Sequence, residues 1–172
     1  MGAGKILVII GAILSILGTF VFALFTPAPG WIGSGIGFAV NLPDIFANAD
    51  LLAALVGLEV FIIYIIIVVF IIFLASGPLQ FVGLKSRVVG LIFSLFPLGV
   101  GILFILLFWT DLLGPISTVF GAFFATDLLG GAFPVFITGG GTNLLLGDLG
   151  LGAYFLVGGG LLGFIGCILP RD

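Results

Sequence analysis

Residues 52–74 read LAALVGLEVFIIYIIIVVFIIFL, a run of apolar residues that contains a single charge, Glu59. A helix needs about 20 such residues to cross the hydrocarbon core of a bilayer, which is roughly 30 Å thick. The run is therefore long enough to span a membrane, and it indicates that the chain folds in a lipid bilayer. A carboxylate inside such a run is costly and needs a physical explanation.

The composition of the whole chain agrees with this stretch. Of its 172 residues, 62% are hydrophobic and 6% are charged, whereas a soluble domain carries about 25% charged residues. The chain has four Lys and Arg and a net charge of −3, so nucleic acid is not an expected partner. It has no histidine and one cysteine. Because haem, copper, iron and catalytic zinc sites and Ser-His pairs rely on those residues, we expect no cofactor and no enzymatic activity.

Four stretches are long and apolar enough to be transmembrane helices, at about residues 6–25, 51–75, 88–109 and 149–169. They predict an all-α integral membrane protein, a four-transmembrane-helix bundle that forms a single domain. The first span is expected to be retained, because its apolar core is longer than the 7–15 residues of a signal peptide. A short loop, 76–87, and two longer segments, 26–50 and 110–148, join the spans.

The basic residues predict the orientation of the bundle. Lys5 precedes the first span, Lys85 and Arg87 lie in the short loop, and Arg171 follows the fourth span. All four fall on one side, which the positive-inside rule makes cytoplasmic. We therefore expect a cell-membrane protein with its N- and C-termini in the cytoplasm and its two longer segments outside.

The second outer segment carries apolar residues at helical spacing, Ile116, Val119, Phe120, Phe123, Phe124 and Leu128. These positions share one helical face. Pro115 suits the first turn of a helix, and Gly130 and Gly131 suit its end. The pattern predicts a short amphipathic helix in this loop, which either lies in the membrane interface or packs on the bundle or on a partner.

Small residues mark three of the four spans as packing surfaces, because they let helix backbones approach closely in lipid. They are Gly11, Ser15 and Gly18 in the first span, Gly90, Ser94, Pro97 and Gly101 in the third, and Gly159 and Gly163 in the fourth. The GxxxG pair of the fourth span serves either internal packing or a homodimer. The second span has no such seam, so it is expected to face lipid or a bulky partner.

Pro97 predicts a defect in the third span. It removes one helical hydrogen bond and leaves the carbonyl of Phe93 without its usual donor. We expect Ser94 or a neighbouring group to satisfy that carbonyl.

Glu59 is the predicted intramembrane carboxylate. Eight residues into the second predicted span, it would lie about 12 Å deep. No Lys or Arg lies within a span, so we expect a neutral carboxyl that is hydrogen-bonded to Ser15, Thr19, Ser94 or a freed carbonyl. Such a group either handles protons or ions or forms one structural hydrogen bond between helices.

The outer aspartates offer the only candidates for a metal site. Asp50 and Asp148 stand just before helices that run inward, where a carboxylate caps the helix. Asp44, Asp111 and Asp127 are candidates for a shared cation with loop carbonyls. No other metal site is expected.

These features favour a non-catalytic, multi-pass membrane protein that acts as a structural or accessory subunit of a larger membrane assembly. Its expected partners are the lipid bilayer and other membrane subunits or copies of itself. The alternative is a homo-oligomeric ion or proton channel or transporter that uses Glu59.

Overall fold

The computed structural model describes residues 2–28, 31–108, 116–127 and 149–170. In chain order its helices and strands are α1 (Ala3–Phe20), β1 (Phe25–Ala28), β2 (Trp31–Gly33), α2 (Gly35–Ala47), α3 (Ala49–Val56), α4 (Val60–Gln80), α5 (Arg87–Phe108), α6 (Ile116–Phe124), β3 (Ala125–Asp127) and α7 (Leu151–Ile168). A short 3₁₀ helix, Phe81–Leu84, follows α4 directly.

Four of these helices are long and apolar enough to cross a membrane: α1, α4 with its 3₁₀ extension, α5 and α7. This confirms the predicted helical membrane bundle. The four helices form a closed ring, because α1 and α5 each pack against both α7 and α4.

Glycines bring α1 and α7 together along their whole length. A methyl group on Gly4 would lie 2.8 Å from the carbonyl oxygen of Gly166, and one on Gly18 would lie 2.7 Å from that of Gly152. The two helices therefore run antiparallel, with their backbones in direct contact. The glycines recur every seven residues on each helix, at positions 4, 11 and 18 and at positions 152, 159 and 166. A seven-residue spacing keeps one seam facing the partner helix.

The described basic residues collect at one end of the bundle, which we call the basic end. The backbone nitrogen of Gly4, next to Lys5, donates to the carbonyl of Pro170 at 3.3 Å. Gly83 of the 3₁₀ helix packs against Gly90 and the buried Cys167. This contact brings the loop that carries Lys85 and Arg87 to the end of α7.

The opposite end, which we call the acidic end, carries Asp44, Asp50 and Glu59 on α2, α3 and the residues before α4. The helices α2 and α3 meet at a bend of 92°. Asn48 lies at this bend and donates through its side chain to the carbonyl of Asp44 at 2.8 Å.

The helix in the second predicted span begins at Val60, not at residue 51. Gly57 ends α3 with a φ of +68°, a left-handed conformation that glycine adopts without steric cost. The backbone nitrogen of Leu58 donates to the carbonyl of Ala53 at 3.0 Å, as in a Schellman ending. The apolar run 52–74 is therefore divided between two helices.

A small antiparallel sheet, absent from the sequence-based prediction, joins distant parts of the chain in the order β1-β2-β3. Trp31 pairs with Asp127, and Gly33 pairs with Ala125. Residues 25–28, 31–56 and 116–127, which comprise this sheet with α2, α3 and α6, are called the platform below.

Aromatic rings fasten the platform to the long helices. The ring of Phe124 lies 5.1 Å from Phe38 of α2, 4.8 Å from Phe70 of α4 and 5.0 Å from Phe104 of α5. All four rings are almost fully buried. Pairs at these separations add to the stabilisation that comes from burial alone.

The helix α6 lies inside the stretch where the sequence places a short helix, and it ends at Phe124, before Leu128. Val119, Phe123 and Phe124 are buried. The side-chain nitrogen of Asn41 donates to the carbonyl of Ala125 at 2.8 Å and contacts that of Phe123 at 3.2 Å. This amide satisfies carbonyls that the end of a helix leaves without donors.

Candidate functional site: a buried amide at the centre of the bundle

The most unusual polar group in the described interior is the side-chain amide of Gln80, at the end of α4. Gln80 is completely buried. Its Nε2 donates to the Oγ of Ser15 on α1 at 3.0 Å and to the carbonyl oxygen of Phe93 on α5 at 3.4 Å. One amide thus links three of the four long helices.

The Phe93 carbonyl is the one that Pro97 deprives of its helical donor. Pro97 lies within a continuous α5 and is buried. Because proline has no N–H, the carbonyl four residues earlier needs a donor from elsewhere. The Gln80 amide supplies it from α4. The donor is therefore neither Ser94 nor another group of α5.

The two serines that flank this amide are also buried. Ser94 donates through its hydroxyl to the carbonyl of Gly90 at 2.6 Å, within its own helix. Ser15 accepts from Gln80 and also has its backbone carbonyl bonded by the hydroxyl of Thr19 at 2.8 Å. Gln80 Oε1 is buried and has no hydrogen-bond partner among the described residues.

Glycines of α7 complete the cluster on the fourth side. A methyl group on Gly163 would lie 2.6 Å from the Oγ of Ser94 and 3.0 Å from Gln80 Oε1. One on Gly159 would lie 2.6 Å from the Oγ of Ser15. Any larger residue at these two positions would collide with the polar cluster, so the predicted GxxxG pair packs inside this chain.

The chemistry open to this cluster is limited. It consists of one amide and the hydroxyls of Ser15, Thr19 and Ser94, without an ionisable side chain among its described members. A serine nucleophile needs an adjacent base, which this cluster does not contain. The geometry instead fixes the register of the helices, because each hydrogen bond forms in only one relative placement.

Glu59 lies far from this cluster. It precedes α4 as its N-cap residue, its side chain does not cap the helix, and it is exposed on the protein surface. Gln80 stands twenty-one positions further along, about 30 Å away along a helix. The polar partners that the sequence suggested for Glu59, namely Ser15, Thr19 and Ser94, are engaged elsewhere.

The remaining predicted packing residues all lie at helix contacts. Gly11 faces Gly159 and Gly163, Gly18 faces Gly152, and Gly101 faces Val157. Gly90 faces Gly83 and Cys167.

The candidate cation site falls largely outside the described part of the chain. Asp44 is exposed on α2. Asp111 lies in the range 109–115, outside the described residues, and of Asp127 only the backbone, paired with Trp31, is described. Among the described residues no group of three or more carboxylates, thiols or imidazoles could hold a metal ion.

Sequence reasoning missed Gln80, although a signal was present. Gln80 is the only glutamine in the chain, and it lies between the second predicted span and Lys85. The sequence suggests that Gln80 belongs to a polar loop, because the apolar run ends at residue 75. The helix continues for five more residues, which carries the amide into the bundle.

Comparisons with known protein families, with curated proteins and with solved structures find no match to this chain.

Proposed function

We propose that this chain is a non-catalytic membrane protein that serves as a structural subunit of a larger membrane assembly. The observation that carries this proposal is a set of exposed apolar side chains on α2 and α3, outside the four long helices. Val40 and Phe46 of α2 and Leu51 and Leu55 of α3 expose between 43% and 65% of their area. Large exposed apolar patches mark contact sites with proteins or membranes.

The platform that carries this surface is firmly held. Its α2 is attached to the long helices through the rings around Phe124 and to α6 through Asn41. A contact surface on rigid elements loses little conformational freedom when a partner binds. This favours a docking role over a mobile loop.

The interior of the bundle supports a structural role as well. Its axis is occupied by the Gln80 amide, two serines and glycine backbones in contact with one another. Close packing of this kind resists the opening that a transport route along the axis would need.

The charge distribution supports the cell membrane as the location and the cytoplasm as the side of both termini. Lys5, Lys85 and Arg87 lie at the basic end, and Asp44, Asp50 and Glu59 lie at the acidic end. The positive-inside rule assigns the basic end to the cytoplasm. The platform with α6 then faces outward.

The test is to photocrosslink the protein in its own membrane and to weigh the products by native mass spectrometry. A photoreactive residue replaces Leu55 on the platform or, as a control, Val88 at the basic end. The two positions are matched, with 65% and 66% of their area exposed. We expect a crosslink to another chain from position 55 alone, at fixed stoichiometry. Monomers without crosslinks at either position would refute the proposal.

A second candidate function, an ion or proton channel built from several copies, is favoured by one observation. The carboxylate of Glu59 is exposed beside the first turn of α4 and does not cap that helix, so a neighbouring copy could face it. Glu59→Gln in proteoliposomes separates the two functions. Ion flux by the wild type that Glu59→Gln abolishes with assembly unchanged would support the channel, and the absence of ion flux in the wild type would refute it.

A further inference from the structure

Two shallow apolar grooves run side by side along the exposed face of α4. The first, of about 370 Å³, lies between α4 and α5 and is lined by residues that include Ile66, Leu95, Gly99 and Phe120. The second, of about 320 Å³, is lined by Phe61, Tyr64 and Val68. Ile65 and Val69 line both grooves, so these two side chains form the ridge between them.

The grooves cover about half the thickness of a bilayer. On α4 they extend from Phe61 to Phe70, and on α5 from Leu95 to Leu103. At 1.5 Å per residue these stretches are about 14 and 12 Å long. Half of a hydrocarbon core is about 15 Å. An acyl chain of one leaflet therefore matches the length of these grooves.

The residues before α4 and on the platform helices α2 and α3 give the outer ends of the grooves an acidic surrounding. Glu59 stands two residues before Phe61, and Asp50 and Asp44 lie on the neighbouring platform helices. Tyr64, an aromatic residue of the kind enriched at membrane interfaces, stacks on Phe46 at 5.9 Å. The described basic residues lie at the other end. A headgroup with an amine complements these charges, and an anionic headgroup does not.

We propose that this face of α4 and α5 binds one phospholipid with an amine-bearing, zwitterionic headgroup. One acyl chain lies in each groove, on either side of the Ile65–Val69 ridge, and the amine lies near Glu59. The grooves are of similar volume, about 370 and 320 Å³, which suits two acyl chains of one lipid. The binding is noncovalent and depends on the membrane placement of the chain, not on its structural role.

Gly99 offers a specific way to test the site. It lines the groove between α4 and α5, and a Cβ atom added there meets no atom of another helix within 4 Å. Gly99→Leu would therefore fill the groove without disturbing the interior of the bundle. Gly158 on α7 is a matched control, since a Cβ atom added there also meets nothing within 4 Å and Gly158 lines neither groove.

The experiment is native mass spectrometry of the full chain released from bilayers of equal parts phosphatidylethanolamine and phosphatidylglycerol. We expect the wild type and Gly158→Leu to retain one phosphatidylethanolamine and Gly99→Leu to lose it. Glu59→Gln is expected to keep a bound lipid but to lower the preference for phosphatidylethanolamine about fivefold, the effect of one charge near a membrane surface.

Three results would overturn the proposal. The first is equal lipid retention by Gly99→Leu and Gly158→Leu. The second is a preference of the wild type for phosphatidylglycerol. The third is a second protein chain, bound in place of lipid and released by Gly99→Leu, which would assign the grooves to a protein partner.

Discussion

The side-chain nitrogen of Gln80 lies 3.4 Å from the carbonyl oxygen of Phe93, which belongs to a different helix. Pro97 creates the need for this contact, because it leaves the Phe93 carbonyl without an N–H from its own helix. A defect in α5 and a buried amide on α4 therefore complement each other. The pair makes the placement of one helix dependent on the other.

This dependence predicts an energetic coupling between positions 80 and 97. Gln80→Leu removes the amide and should lower the free energy of unfolding by about 1–2 kcal/mol, as for other hydrogen bonds between membrane helices. Pro97→Ala restores an N–H that can bond the Phe93 carbonyl. In the Pro97→Ala variant, Gln80→Leu should therefore lower the free energy of unfolding by a smaller amount. A double-mutant cycle, measured by reversible unfolding in mixed micelles, checks this, and strictly additive effects would contradict it.

Substitution by alanine should affect stability differently at two adjacent glycines of α7, Gly158 and Gly159. Gly159→Ala places a methyl group 2.6 Å from the Oγ of Ser15 and 2.7 Å from the carbonyl oxygen of Gly11. Such overpacking should cost about 1–3 kcal/mol. Gly158→Ala meets no neighbour within 4 Å and should be neutral or slightly stabilising, because alanine favours a helix. Thermal unfolding in detergent compares the two, and equal melting temperatures would rule out the close contact of α1 and α7.

The ring contacts of Phe124 hold the platform on the long helices, so we expect their loss to destabilise the platform first. Phe124→Ala removes three ring contacts at once from a fully buried position and should cost about 3–5 kcal/mol. Hydrogen exchange should accelerate in α2 and α6 and remain slow in α1 and α7. Phe46→Ala is the control, since 43% of Phe46 is already exposed. Uniform acceleration over the whole chain would show that the platform is not a separate unit of unfolding.

The proposed orientation predicts which residues a membrane-impermeant maleimide reaches in intact cells. Asp50→Cys should be labelled, and Lys85→Cys should be labelled only after permeabilisation, because the positive-inside rule places Lys85 in the cytoplasm. The natural Cys167 is 1% exposed and should give little background. Labelling of Lys85→Cys in intact cells would reverse the orientation.

The four long helices were predictable because length and hydropathy alone decide whether a segment can span a bilayer. The small residues of three spans were visible in the sequence, but they did not show which helices pair. Gly11, Gly18 and Gly159 are useful only where another backbone approaches, and the sequence places them at helical spacing.

The start of α4 was not predictable from hydropathy. Residues 51–58 are as apolar as a membrane span, yet they form α3 and its ending. A single glycine with a left-handed backbone at position 57 makes the break, and a glycine in an apolar run carries no hydropathy signal. Glu59 was consequently expected inside a helix, whereas it precedes one.

The sheet and the Gln80 cluster were beyond sequence reasoning because both are non-local. Ile32 pairs with Thr126 across more than ninety residues, and neither stretch alternates in polarity. Gln80 is polar and follows an apolar run, so it resembles the start of a loop. Its burial is explained by partners on two other helices, the Oγ of Ser15 and the Phe93 carbonyl that Pro97 frees.

The glycine contact between α1 and α7 has a consequence for biosynthesis. The ribosome delivers α1 before α7, with residues 21–150 between them. At about 5–20 residues per second, the glycine face of α1 remains without α7 for roughly 7 to 26 seconds. During this interval it is open to other glycine-faced helices. A chain truncated before Leu151 would leave that face without α7, so the glycine contact can form only after α7 has been synthesised.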